Sequence, residues 1–181
     1  MHKPIQKDYL DVVHLLVQVA PVVFSEPGFA LKGGTAINLF ARDLPRLSVD
    51  LDVVMLDHRL DREAALAFIG QAVRAMATKA QRMGLQAVIP ESEEGAEVKL
   101  LLKRGQGFGS VQVKIEINPV WRGTLWPVST MRLTPAAQNQ LKADLRLPVL
   151  AVDELYASKL VAAMDRGHPR DWFDVMGLLQ N

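Results

Sequence analysis

The stretch that decides the fold is Arg46-Leu47-Ser48-Val49-Asp50-Leu51-Asp52-Val53-Val54, in which polar and apolar residues alternate. Side chains two residues apart in a strand point to the same side. We therefore expect Asp50 and Asp52 to project together with Arg46 and Ser48, while the leucines and valines face the other way. This pattern predicts a strand over 49–56 that packs on a core and carries a charged cleft on its other face.

The two aspartates of this strand predict a cation site. Adjacent carboxylates on one face repel each other and are costly in a half-buried strand unless a cation lies between them. Mg²⁺ is the first candidate and Mn²⁺ the second, because a magnesium ion takes one or two carboxylates and completes its shell with phosphate oxygens and water. The alternative is that Asp50 and Asp52 lie on a solvent-facing strand edge.

A glycine pair, Gly33-Gly34, precedes this strand and opens a short predicted helix over 35–41. Backbone N–H groups at the start of a helix can bind a phosphate group. The alternative is an ordinary tight turn. A phosphate-binding turn close to paired metal-binding carboxylates is typical of enzymes that transfer nucleotides.

The bulk composition limits the remaining possibilities. The chain has 181 residues, 49% of them hydrophobic, which predicts one domain with an ample core. The net charge of +1 gives no general signature of nucleic-acid or membrane binding. With no cysteine, disulfides and thiolate zinc sites are excluded. The sequence has no membrane-spanning run and no apolar signal core after Met1, so we expect a cytoplasmic protein.

The periodicity along the chain predicts an α/β fold of the α+β type, with a mixed central sheet flanked by helices and a helical C-terminal part. We assign residues 1–150 to a core domain and 151–181 to C-terminal helices that complete it. The last residues resemble a helix that stops in progress, as in a truncated chain. The predicted helices span 8–23, 35–41, 64–83, 135–144, 152–165 and 169–181, with Asp61 as the expected N-cap of the third. The predicted strands span 29–31, 49–56, 85–89, 97–103 and 110–118, and the last two are expected to form an antiparallel hairpin. Residues 91–95 are expected to form an acidic turn, and 119–148 is the least readable segment.

Glu116 is a candidate third carboxylate. It lies in the predicted strand 110–118, where residues alternate strictly between an apolar and a polar face. Beside Asp50 and Asp52 it would serve as a general base or as a second metal ligand. The alternative is a plain amphipathic strand.

Three charged residues in the C-terminal helices are further candidates. Lys159 falls in the middle of an apolar helical stripe, so its ammonium group must snorkel, form an ion pair or reach an anionic cleft. Asp171 and Asp174 begin the next helix, where acids are favourable for capping alone, and either could face Lys159. In the same segment His168 is expected at the helix start, and Trp172 and Phe173 are expected in the core.

Taken together, these motifs resemble the AbiEii/AbiGii toxin family of minimal nucleotidyltransferases, within the polymerase-beta-like superfamily. The matching residues are Gly33-Gly34-Thr35-Ala36, Arg46-x-Ser48-x-Asp50-x-Asp52, Glu116 in its apolar strand, and Ala157-Ser158-Lys159-Leu160 followed by Asp165-Arg166-x-x-Pro169-Arg170-Asp171-x-x-Asp174. Their order and spacing cover most of the chain. The chain departs from the family pattern in two ways: it ends early, and it has Glu116 in a strand where the family's third acid is not always evident.

The resemblance implies a minimal nucleotidyltransferase fold and transfer of a nucleotide from an NTP with Mg²⁺, often within a toxin–antitoxin or phage-defence pair. It implies metal binding by the carboxylates and a catalytic role for Lys159 and for Asp171 or Asp174. The nucleotide-binding residues it implies are Gly33, Gly34, Thr35, Arg46, Ser48 and Lys159. The expected partners are an NTP, an RNA acceptor, for which tRNA is the first candidate, and a cognate antitoxin. No membrane association is expected.

Two other functions remain open from the sequence. The first is a small-molecule nucleotidyltransferase of the aminoglycoside-modifying type, because the metal motif does not encode the acceptor. The second is a non-catalytic binding module of the same fold, against which the intact aspartate pair and Lys159 argue.

Overall fold

The computed structural model of this protein describes residues 7–91, 97–105 and 107–179. The helices are α1 (Lys7–Val23), α2 (Gly33–Ala36), α3 (Arg62–Arg82), α4 (Pro135–Leu141), α5 (Val152–Arg166) and α6 (Pro169–Leu179). Helix α2 continues into a π-helical turn over Ile37–Ala41, and a short 3₁₀ turn spans Gly107–Gly109. The strands are β1 (Phe29–Lys32), β2 (Asp50–Met55), β3 (Gln86–Val88), β4 (Val98–Arg104), β5 (Val111–Arg122), β6 (Ser129–Arg132) and β7 (Arg146–Val149).

The described strands form one mixed sheet in the order β3-β4-β5-β2-β1-β7-β6. Strand β2 lies in its middle, antiparallel to β1 and parallel to β5. Helices α1 and α3 contact each other and both pack on β5, so they cover one face of this half of the sheet. The alternating apolar residues of the strands, such as Leu51, Val53 and Ile115, are fully buried there. The polar residues of β2 and β5 consequently lie on the other face.

The predicted fold class, a mixed α/β sheet with a helical C-terminal part, is confirmed. Helix α3 begins at the predicted N-cap, since the Asp61 side chain accepts a hydrogen bond from the Ala64 N–H (2.8 Å). The hairpin of β4 and β5 forms as predicted, although β5 continues through Pro119 to Arg122. The predicted acidic turn at 91–95 lies largely outside the described residues. In the described part of the chain, no helix is long and apolar enough to cross a membrane.

The segment 119–148 contains two strands that the sequence pattern did not predict. Strands β6 and β7 pair with each other, and β7 also joins the sheet beside β1. Each has only four residues, too few for a clear alternation to be visible in the sequence. Helix α4 ends earlier than predicted because Lys142 adopts a left-handed conformation with φ of 49°.

Arg46 and Ser48 precede β2, which begins at Asp50, close to the start of the predicted strand over 49–56. One further prediction is wrong. Trp172 and Phe173 were expected in the core, yet 44% and 50% of their surfaces are exposed. Helix α6 instead buries Asp171 and Asp174, so its inner face is charged.

Candidate active site

Three carboxylates lie together on one face of the sheet because β2 and β5 run parallel and in register. Asp52 pairs with Glu116, and Asp50 pairs with Lys114. Residues that share a register position project to the same side of a sheet. Asp50, Asp52 and Glu116 therefore form one cluster, which we call the acidic edge.

Lys114 lies between two of these carboxylates. Its Nζ is 2.9 Å from Glu116 Oε2 and 3.9 Å from Asp50 Oδ2. Lys99 approaches Glu116 from β4, with 3.6 Å between its Nζ and Oε1. Burial alone would lower the pKa of Lys114, but the hydrogen bond to Glu116 and the charge of Asp50 outweigh it and raise that pKa. Lys114 thus supplies positive charge to this edge.

Even so, the two aspartates of the acidic edge have raised pKa values, chiefly because they are buried. Burial raises the pKa of both Asp50 and Asp52 above the ordinary value, and the negative charge of Glu116 raises both further. Lys114 opposes the rise at Asp50, and Lys32 and Lys159 oppose it at Asp52. The net effect favours the neutral carboxyl groups, which is the expected property of a site that accepts an additional cation.

The glycine pair sits directly against this cluster. Gly33 has a φ of +74°, and a Cβ there would overlap the carboxylate of Asp52, at 2.7 Å from its Cγ. A Cβ on Gly34 would lie 2.9 Å from the guanidinium of Arg46 and 3.0 Å from Ser48 Oγ. Thr35 fixes the turn to the strand by donating from Oγ1 to the Asp50 carbonyl oxygen (2.5 Å). Only glycines allow the backbone of this turn to come so close to Asp52.

Behind the glycine turn lies a second charged cluster, built around Lys159. The Lys159 Nζ is 2.9 Å from Asp171 Oδ1 and 3.4 Å from Asp174 Oδ2. All three residues are buried, with at most 7% of their surface exposed. Of the three alternatives for Lys159, the structure shows the ion pair, and it shows that both acids face the lysine.

Each acid of this cluster has a second basic partner. Arg46 binds Asp174 with two hydrogen bonds of 2.8 and 2.5 Å, and Arg166 binds Asp171 with two of 2.7 and 3.1 Å. Burial alone would raise the pKa of Asp171, but the hydrogen bonds from Arg166 and Lys159 hold it at about 2. We call these five residues the buried ion-pair network, because its lysine and its two acids are buried, although the Arg166 side chain is 62% exposed.

Asn38 joins this network to the glycine turn. Its Nδ2 donates to the Gly34 carbonyl oxygen (2.9 Å) and to Asp174 Oδ1 (3.1 Å). Its Oδ1 is buried without a hydrogen-bond partner among the described residues. Asn38 was not predicted as a site residue. Its position one helical turn after Gly34 was the available signal, since residues four apart in a helix lie on one face.

The structure therefore gathers the predicted site residues into two adjoining groups. Asp50, Asp52 and Glu116 form the acidic edge, with Gly33, Gly34 and Thr35 beside it. Lys159, Asp171, Asp174 and Arg46 form most of the network, and Ser48 lies against Gly34. Lys114 was missed because its role depends on the parallel register of β2 and β5, which the sequence does not reveal.

The donor chemistry of the acidic edge suits a hard divalent cation, because all three candidate ligands are carboxylates. The Gly33 turn also leaves the Asp52 carboxylate uncovered by any Cβ. As the side chains stand, no three acidic or histidine residues converge into a metal-binding group within 7–91, 97–105 and 107–179. The three residues fit a divalent cation because they are all carboxylates and lie close together. Lys114 lies between two of them, Asp50 and Glu116.

Comparison with known proteins agrees with this geometry. The family model described as "Nucleotidyl transferase AbiEii toxin, Type IV TA system" matches residues 14–181. No curated protein sequence matches the chain.

Solved structures share the fold. The crystal structure of JHP933 from Helicobacter pylori has a TM-score of 0.60 at 16% identity, and the match covers 98% of this chain and 68% of JHP933. MenT4, a nucleotidyltransferase toxin from Mycobacterium tuberculosis, has a TM-score of 0.54 at 23% identity, covering 84% of this chain and 52% of MenT4. This chain thus matches about half the length of MenT4.

Proposed function

This chain belongs to the AbiEii family of nucleotidyl transferase toxins, and from that premise we propose that it transfers a nucleoside monophosphate from an NTP to the 3′ hydroxyl of an RNA, with tRNA as the first candidate. The reaction depends on Mg²⁺ or Mn²⁺. The observation that carries this proposal is the placement of Asp50, Asp52 and Glu116 in register on two paired strands, directly against the Gly33-Gly34 turn.

Asp50 and Asp52 are the residues that would hold the divalent cation, with Glu116 beside them either as a further ligand or as the general base. When bound, the cation supplies positive charge for the triphosphate oxygens and makes the attacking hydroxyl more acidic. The raised pKa values of Asp50 and Asp52 support this assignment, because crowded carboxylates gain most from an added positive charge.

The glycine turn and Lys159 serve the phosphate groups. In this proposal the backbone N–H groups at the start of α2 bind a phosphate group, since Gly33 and Gly34 add no side chain of their own at this turn. Lys159 lies close enough to Asp52 to oppose the rise in its pKa. Asp171 and Asp174 hold its ammonium group in place, and we assign them this positioning role.

Glu116 is the proposed general base. The acceptor hydroxyl oxygen forms a bond to the α-phosphorus, the bond from that phosphorus to the bridging oxygen breaks, and pyrophosphate leaves. Glu116 accepts the hydroxyl proton. Lys114, hydrogen-bonded to Glu116 at 2.9 Å, keeps this carboxylate oriented and disperses its charge.

The family description places its members in type IV toxin–antitoxin systems. We extend this to the present chain, as a toxin that has a cognate antitoxin and acts in the cytoplasm. The RNA acceptor rests on family membership, since the net charge of +1 gives no overall attraction to nucleic acid.

The direct test is incubation with each radiolabelled NTP, Mg²⁺ and total RNA. We expect label in RNA with the wild-type protein, and a loss of about 1,000-fold or more with Asp50→Ala or Asp52→Ala, because the charge-stabilising cation loses its ligands. The matched control is Asp57→Ala, which removes an exposed carboxylate just after β2 and should leave transfer unchanged. Undiminished transfer by both site variants would overturn the metal assignment.

Expression in a bacterial host tests the toxin role. We expect growth arrest with the wild-type chain and normal growth with Asp52→Ala. Equal arrest by both would show that any toxicity does not arise from nucleotidyl transfer.

A further inference from the structure

A groove of about 490 Å³ opens beside the glycine turn, between α5 and the connection that follows β5. Lys32, Trp121 and Leu125 line one side, and Glu154, Ala157 and Val161 of α5 line the other. This size is within the range of ligand-binding pockets. We call this feature the Trp121 groove.

The wall that contains Trp121 is fixed by hydrogen bonds at both ends. Glu154 accepts hydrogen bonds from Thr124 Oγ1 (2.7 Å) and from the backbone N–H of Leu125 (2.9 Å). The Gly123 N–H donates to the Met55 carbonyl oxygen (2.8 Å) at the end of β2. The connection is therefore held against both the sheet and α5, and the groove is formed before any ligand binds.

This fixed wall presents apolar side chains to solvent. Trp121 is 56% exposed and Leu125 is 83% exposed. Ala157 and Val161 are exposed on the opposite wall, one helical turn apart. Two apolar walls with cations at the rim, Lys32 and Arg122, suit a flat aromatic ring joined to an anionic group.

Lys32 connects this groove to the phosphate-binding turn. It immediately precedes Gly33, its Cα pairs with that of Asp52, and its Nζ lies 5.6 Å from the centre of the Trp121 ring. Helix α5 makes a second connection, because it contributes Lys159 to the buried network and the neighbouring Ala157 and Ser158 to the groove. A ligand with phosphates at Gly33-Gly34 can therefore extend into the groove without crossing the acidic edge.

We propose that the Trp121 groove binds the base and ribose of the NTP, and that Trp121 and the Ala157 face of α5 determine which base is accepted. This inference rests on the proposed function, since it assigns the nucleoside portion of that substrate. The position of the groove favours the NTP over the acceptor. Lys32 and Gly33 come from the β1 side of β2, whereas Glu116, the proposed base for the acceptor hydroxyl, comes from β5 on the other side.

The test compares equilibrium binding of the four NTPs and of inorganic tripolyphosphate, all with Mg²⁺, to wild type and two variants. Ala157→Phe places a ring in the groove from an exposed helical position, so the fold should survive. We expect it to weaken NTP binding at least tenfold while changing tripolyphosphate binding less than twofold. Trp121→Ala should weaken NTP binding at least fivefold, because stacking of a base on an aromatic side chain is lost, and should reduce the differences in affinity among the four NTPs.

Trp172→Ala is the control, since Trp172 is 44% exposed on α6 and does not line the groove. Its NTP binding should equal that of the wild type. If both groove variants bind NTPs as tightly as the wild type, the inference is overturned. If those variants also have a raised KM for RNA, the groove belongs to the acceptor instead. If the wild-type protein binds neither the NTPs nor tripolyphosphate, the proposed function itself fails, which is a distinct result.

Discussion

The acidic edge and the buried ion-pair network use the same kinds of residues, yet their electrostatics are opposite. At the acidic edge, burial and mutual repulsion raise the pKa of Asp50 and Asp52. In the network, Arg166 and Lys159 hold the pKa of Asp171 at about 2. A buried carboxylate with two basic partners is held in its ionised form, whereas one that is buried beside other carboxylates is shifted towards its neutral form.

This difference indicates a structural role for the network and a chemical role for the acidic edge within the same site. The network joins α5, α6, the π-helical turn and the segment before β2, so its charges are satisfied within the protein. The acidic edge has Lys114 and Lys99 as partners, yet burial still raises the pKa of Asp50 and Asp52. We infer that the network fixes the geometry in which the acidic edge acts. Removing a residue of the network should therefore lower stability, whereas removing a residue of the acidic edge should lower activity.

The largest expected effect on stability comes from Asp174→Ala. This change leaves Arg46 and the nearly buried Lys159 without one of their acidic partners, and breaking such a buried pair costs about 3–5 kcal/mol. Denaturant unfolding of wild type and variant measures the loss. Asp144→Ala, which breaks an exposed pair with Arg132, is the control and should not change the midpoint measurably. Equal midpoints for Asp174→Ala and the control would show that the network does not hold the helices.

The second-largest expected effect is a loss of stability at low pH, when Asp171 is protonated. Asp171 has a pKa of about 2 in the folded protein and about 3.9 when unfolded. Because the folded pKa is lowered, its stabilisation is fully present above about pH 4 and is lost as the pH falls through 2. The loss amounts to roughly 2 kcal/mol. Unfolding measured between pH 5 and 2 should show this loss in wild type but not in Asp171→Asn, and parallel curves would contradict it.

The central part of the fold was predictable from sequence because its signals are local. The alternation around Asp50 and in 110–118 predicted the strands, and Asp61 predicted the start of α3. The short strands β6 and β7 were not predictable, since β7 forms by pairing with β1 and β6 by pairing with β7, rather than through a pattern of their own. The exposed Trp172 and Phe173 show the limit of the apolar pattern, because ion pairs determined which face of α6 is buried.

Neighbours within one element followed from its period, and two contacts between elements were also expected: Glu116 beside the two aspartates, and the acids of α6 facing Lys159. Asp50 and Asp52 are two apart in one strand, so their proximity followed from the strand period. The pairing of Arg46 with Asp174 joins residues 128 positions apart, and the position of Lys114 depends on strand register. Neither could be deduced without the tertiary fold. The catalytic roles of these residues remain predictions.

The smallest expected effect has the opposite sign and tests the acidic edge directly. Because the folded pKa of Asp52 is raised, the protein favours its neutral form, and ionisation of Asp52 lowers stability as the pH rises from about 4 through the folded pKa. Asparagine has nearly the same shape and does not ionise. Asp52→Asn should therefore be more stable than wild type at pH 7 without divalent cation, by about 1 kcal/mol, although it should be inactive.

Thermal unfolding at pH 4 and pH 7, with and without Mg²⁺, measures this gain. We expect it to be present at pH 7, to shrink at pH 4, and to shrink at pH 7 when Mg²⁺ binds the wild-type carboxylates. Asp57→Asn is the matched control, because Asp57 lies just after the same strand but its bond to Arg59 lowers its pKa to about 2. That control should show no gain. A loss of stability in Asp52→Asn at pH 7 would mean that Lys32 and Lys159 already compensate Asp52, and the acidic edge would then resemble the network instead of opposing it.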